Sequence, residues 1–210
     1  MPKGVVVGTD EAARCFWAAK DPDYIAYHDR EWGLPVRNDQ RLFEKICLEG
    51  FQAGLSWITI LRKREAFRKA FADFAIEKVA RFDARRVARL LEDPGIVRHR
   101  GKIESAIHNA KRTLEVIDEA GSLASFLWRF EPGPKERPRR MTRAAIVKLT
   151  ETPSSQALSR ELRQRGFRYV GPTTMYALMQ SVGIVNDHLE GCDARPRAEA
   201  ARKVFRSPAG

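Results

Sequence analysis

Apolar residues return every third or fourth position along most of this chain, the interval of a helix that buries one side. Strand signals are weak beside it: alternating β-branched runs are few, and no Asn-Gly or Asp-Gly hairpin occurs. The period therefore predicts an all-α chain, a bundle of short helices joined by tight loops. Asp39 can cap a helix running to about Glu49, with Leu42, Phe43, Ile46 and Cys47 inward. Ser56 can start a second, with Trp57, Ile60, Leu61, Phe67 and Phe71 inward. Asp83 opens a third through Val87, Leu90 and Leu91, which Asp93-Pro94-Gly95 stops. A fourth runs from about Lys102 to Ile117, and a short apolar segment from Leu123 to Phe130 precedes the clearest break.

That break is EPGPKERPRR at residues 131–140, too rich in proline and charge to pack. Beyond it, Thr152 and Pro153 mark the cap and first turn of a helix that ends at Gly166, and Pro172 opens the next. The tail from Arg195 is expected to be loosely held. With 210 residues, 43% of them hydrophobic, the chain can fill one core or two lobes sharing one. No stretch approaches the ~18 consecutive apolar residues of a membrane span, and the start lacks the apolar centre of a signal peptide. Three cysteines, Cys15, Cys47 and Cys192, are too few for a disulfide framework, so a reducing, cytoplasmic location is expected. A net charge of +11 points to a polyanionic partner, although many basic proteins bind no nucleic acid.

Leu42, Ile46 and Glu49 stand at i, i+4 and i+7, which puts a carboxylate on the stripe the helix turns toward the core. Either Glu49 is paired or protonated there, since a lone buried charge costs several kcal/mol, or the helix end lets it reach water or an arginine. Trp17, Tyr24, Tyr27, Trp32, Phe51 and Trp57 crowd the same part of the chain. Each alone reads as core; together beside Glu49 they could wall a pocket for a flat, positively charged base.

Two further patterns carry chemistry. Cys15 and His28 lie near one end, and His188 and Cys192 lie near the other at a spacing that would put both on one side of a helical turn. Two thiolates and two imidazoles make the closed set of a structural zinc, while unrelated thiols would give the same letters. Leu162 to Thr174 reads as helix, tight turn, helix, with Gly166 ending the first and Gly171-Pro172 leaving N–H groups free for a phosphate. Arg163, Arg165 and Arg168 lie nearby, and GIVRHRGKI at residues 95–103 is a second basic turn. Solvated arginines on ordinary connections are the plain alternative. Two such turns favour backbone contact without sequence readout.

CFWAAKDPDYIAYHDREWGLP (15–35), LFEKICLEGFQAGLSWITIL (42–61), GIVRHRGKI (95–103) and RGFRYVGPTTMYALMQSVGIVNDHLEGC (165–192) together resemble the constitutive 3-methyladenine DNA glycosylase I family. The likeness spans about residues 14–192, between an N-terminal extension (1–13) and a basic tail (193–210) expected to be flexible. It implies an all-α helix-hairpin-helix glycosylase, monomeric, acting on double-stranded DNA that contains alkylated purines. The reaction implied is hydrolysis that frees 3-methyladenine and leaves an abasic site. It implies one structural Zn2+ on Cys15, His28, His188 and Cys192. Glu49 would be the base acceptor with Tyr27 beside it, Trp57 would stack on the base, and Tyr24, Trp17 and Trp32 would line the pocket or its approach. Ala53-Gly54-Leu55 would probe the duplex, and Gly166, Arg168, Gly171 and Thr173 would grip the backbone. The aspartate that many helix-hairpin-helix glycosylases carry after the hairpin has only Asp187 as a counterpart, which the sequence suggests orients His188 or caps a turn. A zinc-stabilised DNA-binding module without activity is the competing reading.

Overall fold

The computed structural model describes residues 2–208. Its helices are α1 (Pro22–Arg30), α2 (Asp39–Gln52), α3 (Trp57–Ala70), α4 (Ile76–Ala80), α5 (Ala84–Glu92) and α6 (Arg100–Ala120), followed by α7 (Leu123–Trp128), α8 (Arg143–Lys148), α9 (Pro153–Gln164), α10 (Pro172–Ser181) and α11 (Ala194–Val204). Among the described residues the one sheet is an antiparallel pair, β1 (Val5–Val7) and β2 (Ala13–Cys15), in which Val5 faces Cys15.

Most starts follow local chemistry. Thr152 and Ser155 form a reciprocal capping box at α9, and Asp83 caps α5. At α2 the cap is Asn38, not Asp39: its Oδ1 accepts from the Arg41 N–H at 3.0 Å. Asp39 is thereby free to accept the N–H groups of Leu123 and Ala124, at 3.1 and 2.9 Å, and so caps α7 across the core.

α2 is the central element, packed by α3, α6, α7 and α10. Leu42, Phe43, Leu48, Ile60, Phe67, Leu178 and Met179 are fully buried around it, each contributing roughly 1.5–3 kcal/mol of transfer free energy. α6 lies against α4 and α5 on one side and reaches the α9–α10 connection on the other.

The structure corrects further expectations. The tail is held: α11 buries Ala194 and Ala198, the Phe205 ring sits 4.3 Å from Trp128, and Ser125 Oγ donates to the Pro208 carbonyl at 3.0 Å. The alanines give α11 an apolar side despite its charge. The break at 131–140 has no buried residue, as expected, yet it is anchored at one point, where Arg137 reaches inward to Asp187 and donates to Tyr176 Oη at 2.8 Å. Finally, His188 and Cys192 lie on the non-helical connection between α10 and α11, so a folded-back loop, not a helical turn, brings them together.

Candidate active site

α2 enters the core with its apolar stripe, and the stripe ends in Glu49. The carboxylate is 4% exposed, and burial pushes its pKa up to about 7 against the pull of the Lys45 charge and a hydrogen bond with Ser181. Of the two sequence readings, the buried one holds. Glu49 lines a cavity of about 320 Å³ with Trp17, Tyr24, Tyr27, Trp32 and Trp57, so five of the six aromatics read as possible walls are assembled around one acid, while Phe51 packs in the core 4.5 Å from the Phe67 ring. Such a volume suits one flat bicyclic base. Each wall is fixed by local structure. Tyr24 and Tyr27 lie at i and i+3 on α1, and Trp57 opens α3, 5.5 Å from the Tyr27 ring at 47°. Burial, with the Glu49 and Glu31 charges, pushes the Tyr27 phenol up, so it remains a neutral donor.

Behind Trp17 and Trp32 lies a second cluster. Cys15, His28 and Cys192 offer ligand atoms that all lie within 4.8 Å of one another. The His188 ring is 4.9 Å from that of His28 and 4.7 Å from Trp32. His28 Nδ1 is 2.8 Å from Asp29 Oδ1, which Arg14 braces at 2.7 Å from the other oxygen, Oδ2. His188 Nδ1 is 2.8 Å from Asn186 Oδ1. Both partners are acceptors, so each Nδ1 carries the proton and each Nε2 keeps its lone pair. His188 Nε2 is buried with no hydrogen-bond partner, the state of a donor atom aimed at a cation. The three grouped atoms of Cys15, His28 and Cys192 are compatible with part of a tetrahedral metal site. Asp187, expected to orient His188, does not: its carboxylate accepts from Tyr176 Oη at 2.5 Å, Gln180 Nε2 at 2.8 Å and Arg137.

The methyladenine glycosylase family pattern matches residues 17–196. The chain belongs to that family. Among its relatives, DNA-3-methyladenine glycosylase 1 of Escherichia coli K12 is 47% identical over 183 residues, covering 87% of this chain and 97% of the relative. The crystal structure of a 3-methyladenine DNA glycosylase I superposes with a TM-score of 0.79 at 46% identity, covering 87% of this chain and all of the other. The Staphylococcus aureus enzyme, whose structure concerns 3-methyladenine recognition, gives 0.79 at 38% identity over 86% of this chain and 95% of its own.

Around the mouth of this methyladenine glycosylase pocket, Gln52 lines the cavity and the next three residues turn outward. Gly54 takes φ +78°, closed to most side chains, and leaves Leu55 41% exposed beside the opening. Lys102 of α6 holds this turn by donating to the carbonyls of Phe51, at 2.9 Å, and Ala53. At the other connection, Gly166 at φ +85° closes α9 with a paired motif: its N–H goes to Arg163 O and the Phe167 N–H goes to Leu162 O, both at 2.9 Å. Asn109 of α6 bridges both the N–H and the carbonyl of Arg168 at 2.9 Å. Arg168 and Thr173 are exposed, and Gly171 caps α10 without a side chain. Arg165 is engaged by Glu119 and Glu161, which removes it from the expected basic face.

Sequence reasoning missed Lys45, Lys102, Asn109 and Gln180. The available signal for Lys45 was its place three residues after Leu42, on the apolar side of the same helix.

Proposed function

We propose that this chain is a DNA repair glycosylase that hydrolyses the N-glycosidic bond of 3-methyladenine in alkylated DNA and leaves an abasic site. One observation carries the reading: a buried carboxyl opens on a cavity walled by six aromatic rings, those of Phe16, Trp17, Tyr24, Tyr27, Trp32 and Trp57. Methylation at N3 makes adenine cationic and lets it leave as a neutral base, so the protein must extract and recognise more than it must force cleavage. A damaged base leaves the stack at a cost of a few kcal/mol. Glu49 as carboxylate accepts N–H donors on the base edge, Trp57 covers a face of the ring, and Tyr27 donates beside them. Water adds at the sugar carbon, and no lysine nucleophile is needed.

The helices α9 and α10 and their turn serve as the helix-hairpin-helix element. Gly166, Arg168, Gly171 and Thr173 hold a phosphate there, while Gly54 and Leu55 enter the duplex where the base has left. One zinc on Cys15, His28, His188 and Cys192 joins the chain's two ends. Such a closed site supplies stability rather than chemistry.

The test is release of free 3-methyladenine from methylated DNA by the wild type, Glu49→Gln and Glu49→Ala, with folding checked by circular dichroism. The expected result is turnover by the wild type and a loss of 100-fold or more, on the order of acid–base and recognition effects, in both variants. DNA binding without base release by the wild type would defeat the reading.

A further inference from the structure

One buried cation stands beside the pocket. Lys45 is 5% exposed and its Nζ has no hydrogen-bond partner, although a lone buried ammonium is costly. It sits on α2 one turn before Glu49 and does not line the cavity. Its Nζ lies 4.7 Å from the centroid of the Tyr27 ring and 6.0 Å from that of Trp57, behind two of the pocket's walls. From the residue that follows α1, the Glu31 carboxylate comes within 3.5 Å, but Arg64 of α3 already holds the same oxygen at 2.7 Å. Glu44, on the same helix, is engaged by Arg68 at 2.8 Å. Ser181 of α10 is the polar group facing Glu49 from the other side and carries no charge.

We infer that Lys45 is a positioning residue for base recognition: its ammonium, held behind the aromatic walls, keeps the Glu49 carboxylate ionised as the acceptor of the base. This rests on the glycosylase reading above. Without a neighbouring cation, a carboxyl this deeply buried takes up a proton and loses half its acceptor capacity. Lys45 is well suited because it is screened from the cavity, and the rings it touches receive its charge on their electron-rich faces. It therefore favours the carboxylate without itself occupying the space of a cationic base.

The experiment compares wild type and Lys45→Met, which keeps the length of the side chain and removes the charge. The pH profile of kcat/KM for base release is expected to shift its acid limb upward by about one unit in the variant. The deficit is then about tenfold at pH 6 and disappears near pH 9. The titration of the Glu49 carboxyl, followed by its 13C chemical shift, should move by the same amount. Superimposed profiles for two folded proteins would overturn the inference. A second measurement does not depend on the variant folding: the 15N shift of Lys45 in the wild type must report an ammonium at pH 7, and a neutral amine there overturns the inference equally. An inactive wild type would instead sink the glycosylase reading, so the two failures are separable.

Discussion

Lys102 Nζ donates to the carbonyl oxygen of Phe51 at 2.9 Å and so ties the first turn of α6 to the last turn of α2. Two helices that meet nowhere near each other in sequence thus share one cation at the base of the Gly54-Leu55 turn. Lys102→Met strands two carbonyls and is expected to cost roughly 1.5–3 kcal/mol in chemical denaturation. The larger effect should fall on damaged duplex, with kcat/KM for methylated DNA dropping while affinity for free 3-methyladenine stays near wild type. Equal losses in both measurements would mean that Lys102 supports the pocket and not the turn.

Glu49 is expected to trade stability for function. Its folded-state pKa, near 7, is raised above the ordinary carboxyl value of 4.5. Between these values the native state holds more protons than the unfolded chain, so the contribution of this group is favourable at low pH and is lost as pH rises through 7. Glu49→Gln should therefore melt higher than wild type at pH 8, by on the order of 2–3 kcal/mol, and no higher at pH 4. The same variant should release little base. A variant that melts lower at pH 8 would show that the buried carboxylate is stabilised by its surroundings.

The proposed zinc site gives a structural readout. One metal per chain is expected by elemental analysis, with Cys192→Ala or prolonged chelation abolishing it and collapsing the native fold. Because Trp17 and Trp32 lie between the cluster and the cavity, tryptophan emission should change before global unfolding. A metal-free protein with native emission and turnover would contradict the assignment.

Asp187 is fully committed to Tyr176, Gln180 and Arg137, so it supports the fold and is not free to act as a base. Asp187→Asn should cost about 3–5 kcal/mol, the penalty for stranding a buried partner. Base release per folded molecule should fall less than tenfold. A catalytic loss of a thousandfold with native stability would reverse this view.

How far the sequence reveals these features depends on whether their cause is local. The apolar stripe ending in Glu49, the Thr152 cap and the left-handed Gly166 follow from neighbours a few residues away, and all three are legible. α1 was not legible, since its polar composition hides that Tyr24, Tyr27 and His28 share a side. Arg137 looked like part of a solvated basic run because its partner, Asp187, lies fifty positions on and is recognisable only in the fold. Lys45 is hidden for the same reason: its burial is set by α1 and α3 closing over α2.

The loop bearing His188 and Cys192 meets the segment of Cys15 at the opposite end of the chain, where Asp193 N–H donates to the Ala13 carbonyl at 2.8 Å. During synthesis at the ribosome, Trp32 emerges early but must wait for His188 before its backing is in place. The pocket is thus among the last features to be completed, and a truncated product would carry the recognition residues without the means to use them.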